Sequence, residues 1–119
     1  MPATLIPAPS TENLSSPLIL ATDLSAGRIV ATGELDRGSA HQLLDALETL
    51  VLSEQRTWTV DAAGITFCDA EGLRVLARAR SAAQSWGRVL VLDCPPRFFL
   101  RLLDLIGMAQ MVSRPLTAT

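Results

Sequence analysis

The sequence predicts an α/β domain whose elements run β-β-α-β-α-β-α. Three observations carry this expectation. Apolar residues recur at helical spacing in three separate stretches. Short apolar runs bounded by turn residues lie between them. Glycine or proline closes most of these units. At 119 residues the chain suits one domain, with a core that needs neither disulfide nor metal.

Residues 1–16 are rich in Pro, Ser and Thr and read as a flexible lead-in. Residues 17–22 form a first strand, and Asp23, Ser25 and Gly27 supply the turn after it. Residues 28–33 return as a second strand, hairpin-paired with the first. A helix begins near Ser39. Leu43, Leu44, Leu47, Leu50 and Val51 fall on one of its faces, and Asp45, Glu48 and Thr49 on the other. Residues 58–61 are a short strand, broken by Ala63-Gly64, after which residues 65–68 lead into a second helix. The apolar stripe expected there is Leu73, Leu76, Ala77 and Ala83, with Gly87 ending the helix. The uninterrupted run at residues 89–92 predicts a central strand buried on both faces. Pro95 and Pro96 stop it, because proline cannot donate to a sheet ladder. A third helix starts near Arg97 and buries Phe99, Leu102, Leu103 and Ile106, with Gly107 closing it. Residues 113–119 read as a loose tail. A helix between successive strands implies parallel neighbours and right-handed crossovers.

Composition narrows the function classes. Apolar residues make up 49 % of the chain and aromatics only 4 %, so the core is built from Leu, Val, Ile and Ala. The net charge of −2 gives no general attraction to phosphate backbones, and no nucleic-acid partner is expected. All ten basic residues are arginine, so every basic contact can be a flat, bidentate one. Cys68 and Cys94 match no metal spacing and there is one histidine, His41, so no metal or other cofactor is expected. The two thiols read as unpaired and mostly buried. The first residues lack a basic region followed by an apolar stretch, and no run reaches the ~18 apolar residues of a membrane span. These features predict a cytoplasmic protein.

Catalytic motifs are missing. No serine sits in a G-x-S-x-G setting, and a chain without lysine has no G-x-x-x-x-G-K-[ST] phosphate loop. The expectation is a binding protein, not an enzyme. Two acidic clusters stand out instead. Gly33-Glu34-Leu35-Asp36 closes the second strand, and Phe67-Cys68-Asp69-Ala70-Glu71-Gly72-Leu73 opens the second helix. Each has a structural reading. Asp36 can support a turn, Asp69 can cap the helix, and Glu71 suits the positive end of the helix dipole.

In order along the chain, these clusters join Ile65-Thr66 before the second helix, Pro95-Pro96 after the fourth strand and Leu105-Ile106-Gly107-Met108 at the end of the third helix. Over residues 17–112 this series resembles the STAS domain family, most closely its bacterial anti-sigma factor antagonists. The resemblance implies a small mixed sheet with helices packed beside it. It implies a partner too: an anti-sigma factor, usually a serine kinase of the histidine-kinase-like ATPase fold, whose capture frees a sigma factor. The implied partner-binding residues are Glu34, Asp36, Asp69, Ala70, Glu71, Gly72, Arg74 and Arg78. Other roles within the family are a STAS subunit or scaffold of a larger complex, in lipid transport or stress signalling, and a nucleotide sensor.

The sequence departs from the family at one place. The family usually reads Asp-Ser-Ser-Gly or Asp-Ser-Thr-Gly, and the kinase phosphorylates the first hydroxyl residue to end the interaction. Here that residue is Ala70, which has no hydroxyl, and Glu71 follows it. Either the protein binds constitutively, or Glu71 imitates the phosphorylated, released state. A carboxylate carries one charge against about −1.5 to −2 for a phosphoserine. One residue's displacement on a helix turns a side chain by roughly 100°. Both facts favour constitutive or differently regulated binding.

Overall fold

A computed structural model describes residues 17–113. The expected lead-in 1–16 and most of the expected tail lie outside the described residues. The elements are β1 (Ile19–Asp23), β2 (Arg28–Leu35), α1 (Ala40–Thr49), β3 (Thr57–Cys68), α2 (Ala70–Ser85), β4 (Val89–Asp93) and α3 (Arg97–Leu105). Short 3₁₀ turns follow α1 at Leu50–Leu52 and α3 at Ala109–Met111. The order matches the sequence expectation. The sheet is mixed, in the order β1-β2-β3-β4, with β1 antiparallel to β2 and the other two pairings parallel.

Side chains alternate along the strands, and one face of the sheet carries the core. Ile29, Ala31 and Leu35 of β2, Trp58, Val60, Ala62 and Ile65 of β3, and Leu90 and Leu92 of β4 are buried on it. Leu43 and Leu47 of α1 and Val75, Leu76, Ala79 and Ala83 of α2 join the same core. The other face is partly open. There Asp61 and Asp93 stand directly opposite each other on β3 and β4. Arg28 of β2 resolves this like-charge pair by reaching both carboxylates, at 3.0 and 3.3 Å.

Two strands differ from expectation. Residues 89–92 are not a central strand. β4 is the last strand of the sheet, its burial alternates, and Val89 is 52 % exposed. An unbroken apolar run is ambiguous because Val89 and Val91 can occupy a half-open face as readily as a buried one. The outer edge of β4 is shielded at one point, where Val112 bridges Leu92 in parallel and the Ser113 N–H donates to the Leu92 carbonyl at 2.7 Å. Nor does Gly64 break a strand, for β3 runs unbroken through it for twelve residues. A Cβ at residue 64 would lie 2.4 Å from the Thr32 Cγ2, so this glycine admits the neighbouring strand where the register shifts.

The helices hold similar corrections. On α2 the buried stripe is Gly72, Val75, Leu76, Ala79 and Ala83, whereas Leu73 is half-buried and Ala77 exposed. Small residues on this stripe let the helix approach closely, and their low hydropathy hides the stripe in the sequence. On α3 Phe99 and Leu103 are buried, Leu102 is half-buried and Ile106 is exposed. Both helices end as expected, with Gly87 and Gly107 at φ +73° and +77°. The next N–H, of Arg88 and of Met108, donates back to the carbonyls of Ala83 and Leu103, each at 2.8 Å. Arg88 reaches further. Its guanidinium donates to the carbonyls of Leu50, Val51 and Gln55 at 3.4, 3.3 and 3.0 Å and lies over the Trp58 ring, 5.8 Å from its centroid.

Candidate functional site

The parallel strands β2, β3 and β4 all point toward one end of the sheet, where each hands the chain to a helix. Loops gather at such an end, and ligands and partners meet it in many α/β folds. The site is built there from the β2–α1 loop and the first turn of α2.

In the loop, the Asp36 Oδ1 accepts from the N–H groups of Gly38 and Ser39 at 3.0 and 3.1 Å, which folds the chain into a tight turn. The Asp36 carbonyl accepts from the Ala40 N–H at 2.7 Å and starts α1. The Ser39 hydroxyl sits inside the turn, 2.8 Å from the Glu34 carbonyl and 3.0 Å from the Asp36 Oδ1. Ser39 was not among the expected site residues, although the Asp-x-Gly-Ser spacing is the signal that could have revealed it.

Asp69 joins the two halves. Its Oδ1 accepts from the Gly72 N–H at 2.9 Å, the cap expected of it, and its Oδ2 accepts from the Arg37 N–H at 3.1 Å. Its own N–H donates to the Leu35 carbonyl at 3.2 Å. Gly72 completes the joint. A Cβ there would lie 2.5 Å from the Leu35 carbonyl oxygen and 2.9 Å from the Cys68 sulfur, so only glycine lets the first turn of α2 sit against β2. Gly72 is buried and has no face to offer a partner. Cys68 is buried as well. Burial, reinforced by the Asp69 charge, pushes its thiol up to about 12, so it stays protonated at neutral pH. Cys94 is also free but is exposed, which corrects the expectation of burial.

Above this frame lies a shallow depression lined by Arg37, Asp69, Ala70, Glu71 and Arg74. Ala70 is exposed in it. Glu71 pairs with Arg74 one turn along the same helix. Thus Asp69, Ala70, Glu71 and Arg74 line one depression with Arg37, and Asp36 precedes Arg37 in the β2–α1 loop. Glu34 is half-buried on the opposite face of the sheet, beside Phe67 in the register, and Arg78 is exposed a further turn along α2. Arg37 is a site residue that the sequence analysis missed, and nothing in its local sequence distinguishes it from any loop arginine.

Comparisons with known proteins agree with this architecture. A family model described as "Mlab, STAS domain" matches residues 19–113. No curated sequence matches the chain. Among solved structures, the unphosphorylated anti-sigma factor antagonist SpoIIAA, a Bacillus protein, superposes with a TM-score of 0.66 at 14 % identity, covering 85 % of this chain and 90 % of that one. An anti-sigma factor antagonist from Mycobacterium paratuberculosis gives 0.64 at 19 % identity, covering 95 % and 94 %. The chain also matches part of SLC26A9, with a TM-score of 0.61 at 13 % identity, covering 76 % of this chain and 19 % of that much longer one. At these identities the structural likeness speaks to the fold, and the family match spans nearly all the described residues. The chain belongs to the STAS domain family.

Proposed function

We propose that this protein is an anti-sigma factor antagonist without the usual phosphorylation switch. It would bind an anti-sigma factor, of the serine-kinase type with a histidine-kinase-like ATPase fold, through the start of α2, and thereby free a sigma factor in the cytoplasm. The observation that carries the reading is the exposed Ala70, held by the Asp69 bonds in a depression flanked by Arg37 and Arg74. No hydroxyl is available at Ala70 to accept phosphate. The Glu71 carboxylate is engaged by Arg74, so its charge is met within the helix and is a poor substitute for a phosphate. Both features favour constitutive binding. A second reading is the other role within the family, a STAS subunit of a larger complex such as one in lipid transport; the matching family model is described as "Mlab, STAS domain" and not as an antagonist. It keeps the surface and changes the partner.

Calorimetric titration with kinase-type anti-sigma factors from the same genome tests the first reading. The native chain is expected to bind one of them and to take up no phosphate at residues 69–72 with ATP. Arg74→Glu is expected to weaken binding while stability changes by no more than about 0.5 kcal/mol. The double variant Ala70→Ser, Glu71→Ser is expected to become phosphorylated and then to release the partner. If only a Glu71→Ser variant binds, Glu71 is a mimic of the released state and constitutive binding is wrong. Binding to transport-complex subunits, with none to anti-sigma factors, would establish the second reading instead.

A further inference from the structure

The outer side of α3 is unlike the other helix surfaces. Phe98 and Leu105 are 37 % and 81 % exposed, one two-turn step apart on the same side. Beside them runs a charged stripe, Arg97, Arg101 and Asp104, spaced i, i+4 and i+7. Among the described residues none of the three has an ion-pair partner. The stripe is positive toward the start of the helix and negative toward its end.

Such a face is complementary to itself. A second copy turned antiparallel, with the twofold axis beside Arg101 and Leu102, places Phe98 opposite Leu105 of the other copy, twice over. The same operation sets Asp104 on one flank within two residues of the other copy's Arg97 and Arg101, about 3 Å along the axis. Antiparallel helices bring like flanks together, so apolar meets apolar on one side and carboxylate meets guanidinium on the other. The two helix dipoles also oppose favourably in this arrangement. We propose that α3 is the seam of a symmetric homodimer of this chain. One nine-residue helix per copy buries less than the ~1,600 Å² of a standard interface, so the dimer is weak, with a dissociation constant of about tens to hundreds of micromolar.

Sedimentation equilibrium over a concentration series tests the proposal with the full chain. The weight-average mass is expected to rise from one chain toward two. Arg97→Asp alone, and Asp104→Arg alone, each place like charges across the seam and are expected to weaken association about tenfold or more. In an equimolar mixture of these two variants the substituted positions meet with opposite charges on the charged flank, while the new arginine still faces Arg101, so association is expected to recover well above that of either variant alone. Thermal melts of each single variant show whether α3 remains folded, and the mixture gives a readout that folding alone does not move. A chain that stays monomeric throughout, a dimer indifferent to both single variants, or a mixture that fails to recover would each overturn the proposal.

Discussion

The starts of α2 and α3 hold equivalent places, each following a parallel strand at the same end of the sheet, yet they are built differently. At α2 the cap is a carboxylate that satisfies one helix N–H and one N–H of the neighbouring loop. The next glycine is locked against β2, and the preceding cysteine is buried. At α3 the cap is Pro96, which offers no side-chain acceptor, and the preceding Cys94 is exposed at φ +55°. The difference separates placement from ending. Proline ends a strand and admits a helix at a fixed φ, but nothing ties the first turn of α3 to the rest of the domain through its cap. Asp69 and Gly72 fix where the first turn of α2 lies to within a hydrogen bond, which the proposed partner surface would require.

The largest way to break this contrast is Gly72→Ala. The new Cβ meets the backbone oxygen of Leu35, which cannot rotate away, so α2 must shift from β2. Overpacking of this kind costs about 1–3 kcal/mol, and urea denaturation is expected to fall near the top of that range despite alanine's better helix propensity. Next comes the pair of caps. Asp69→Ala removes two hydrogen bonds and is expected to cost about 1–2 kcal/mol. Pro96→Ala loses only backbone restriction and is expected to cost less than about 1 kcal/mol. Equal losses would mean that the tie to Arg37 contributes nothing.

The smallest effect concerns the two thiols. At pH 8 iodoacetamide is expected to label Cys94 and leave Cys68 intact in the folded protein, as peptide mass mapping would show. The Asp93 charge raises the Cys94 thiol and slows the reaction, but exposure permits it. Burial at Cys68 has a second consequence. Its folded pKa lies above the unfolded one, so the stability it contributes is present below the unfolded value and is lost as pH rises toward about 12. Stability is therefore expected to decline above pH ~9, and less so in Cys68→Ala.

What was legible in the sequence were features that act locally. Gly87 and Gly107 end helices through their own backbone, and Asp69 caps through an N–H three residues away, so each is readable from its neighbours. What the sequence does not display depends on contacts across the fold. Gly64 looked like a break because its reason for being glycine is Thr32, on another strand. The packing stripe of α2 is not legible from hydropathy because tight approach favours Gly72, Ala79 and Ala83, while Leu73 carries more apolar surface. β4 looked central because a one-dimensional pattern does not contain strand order. In the site, the acidic residues were identifiable, but Arg37 enters only because Asp69 holds its backbone from thirty-two residues away.

The guanidinium of Arg88 gathers three carbonyls from beyond the end of α2, one of which, that of Leu50, also accepts from the Ser53 N–H. The last turn after α1, the entry to β3 and the exit from α2 therefore share one donor. Release of Arg88 loosens all three together, so local opening at this end is expected to be coupled, with amide protons around Leu50 and Val89 exchanging at similar rates. A lysine could reach one of those carbonyls but could not span the set, because a planar fork is needed to hold several acceptors at once. The end of the sheet away from the start of α2 is thus clamped by a single side chain.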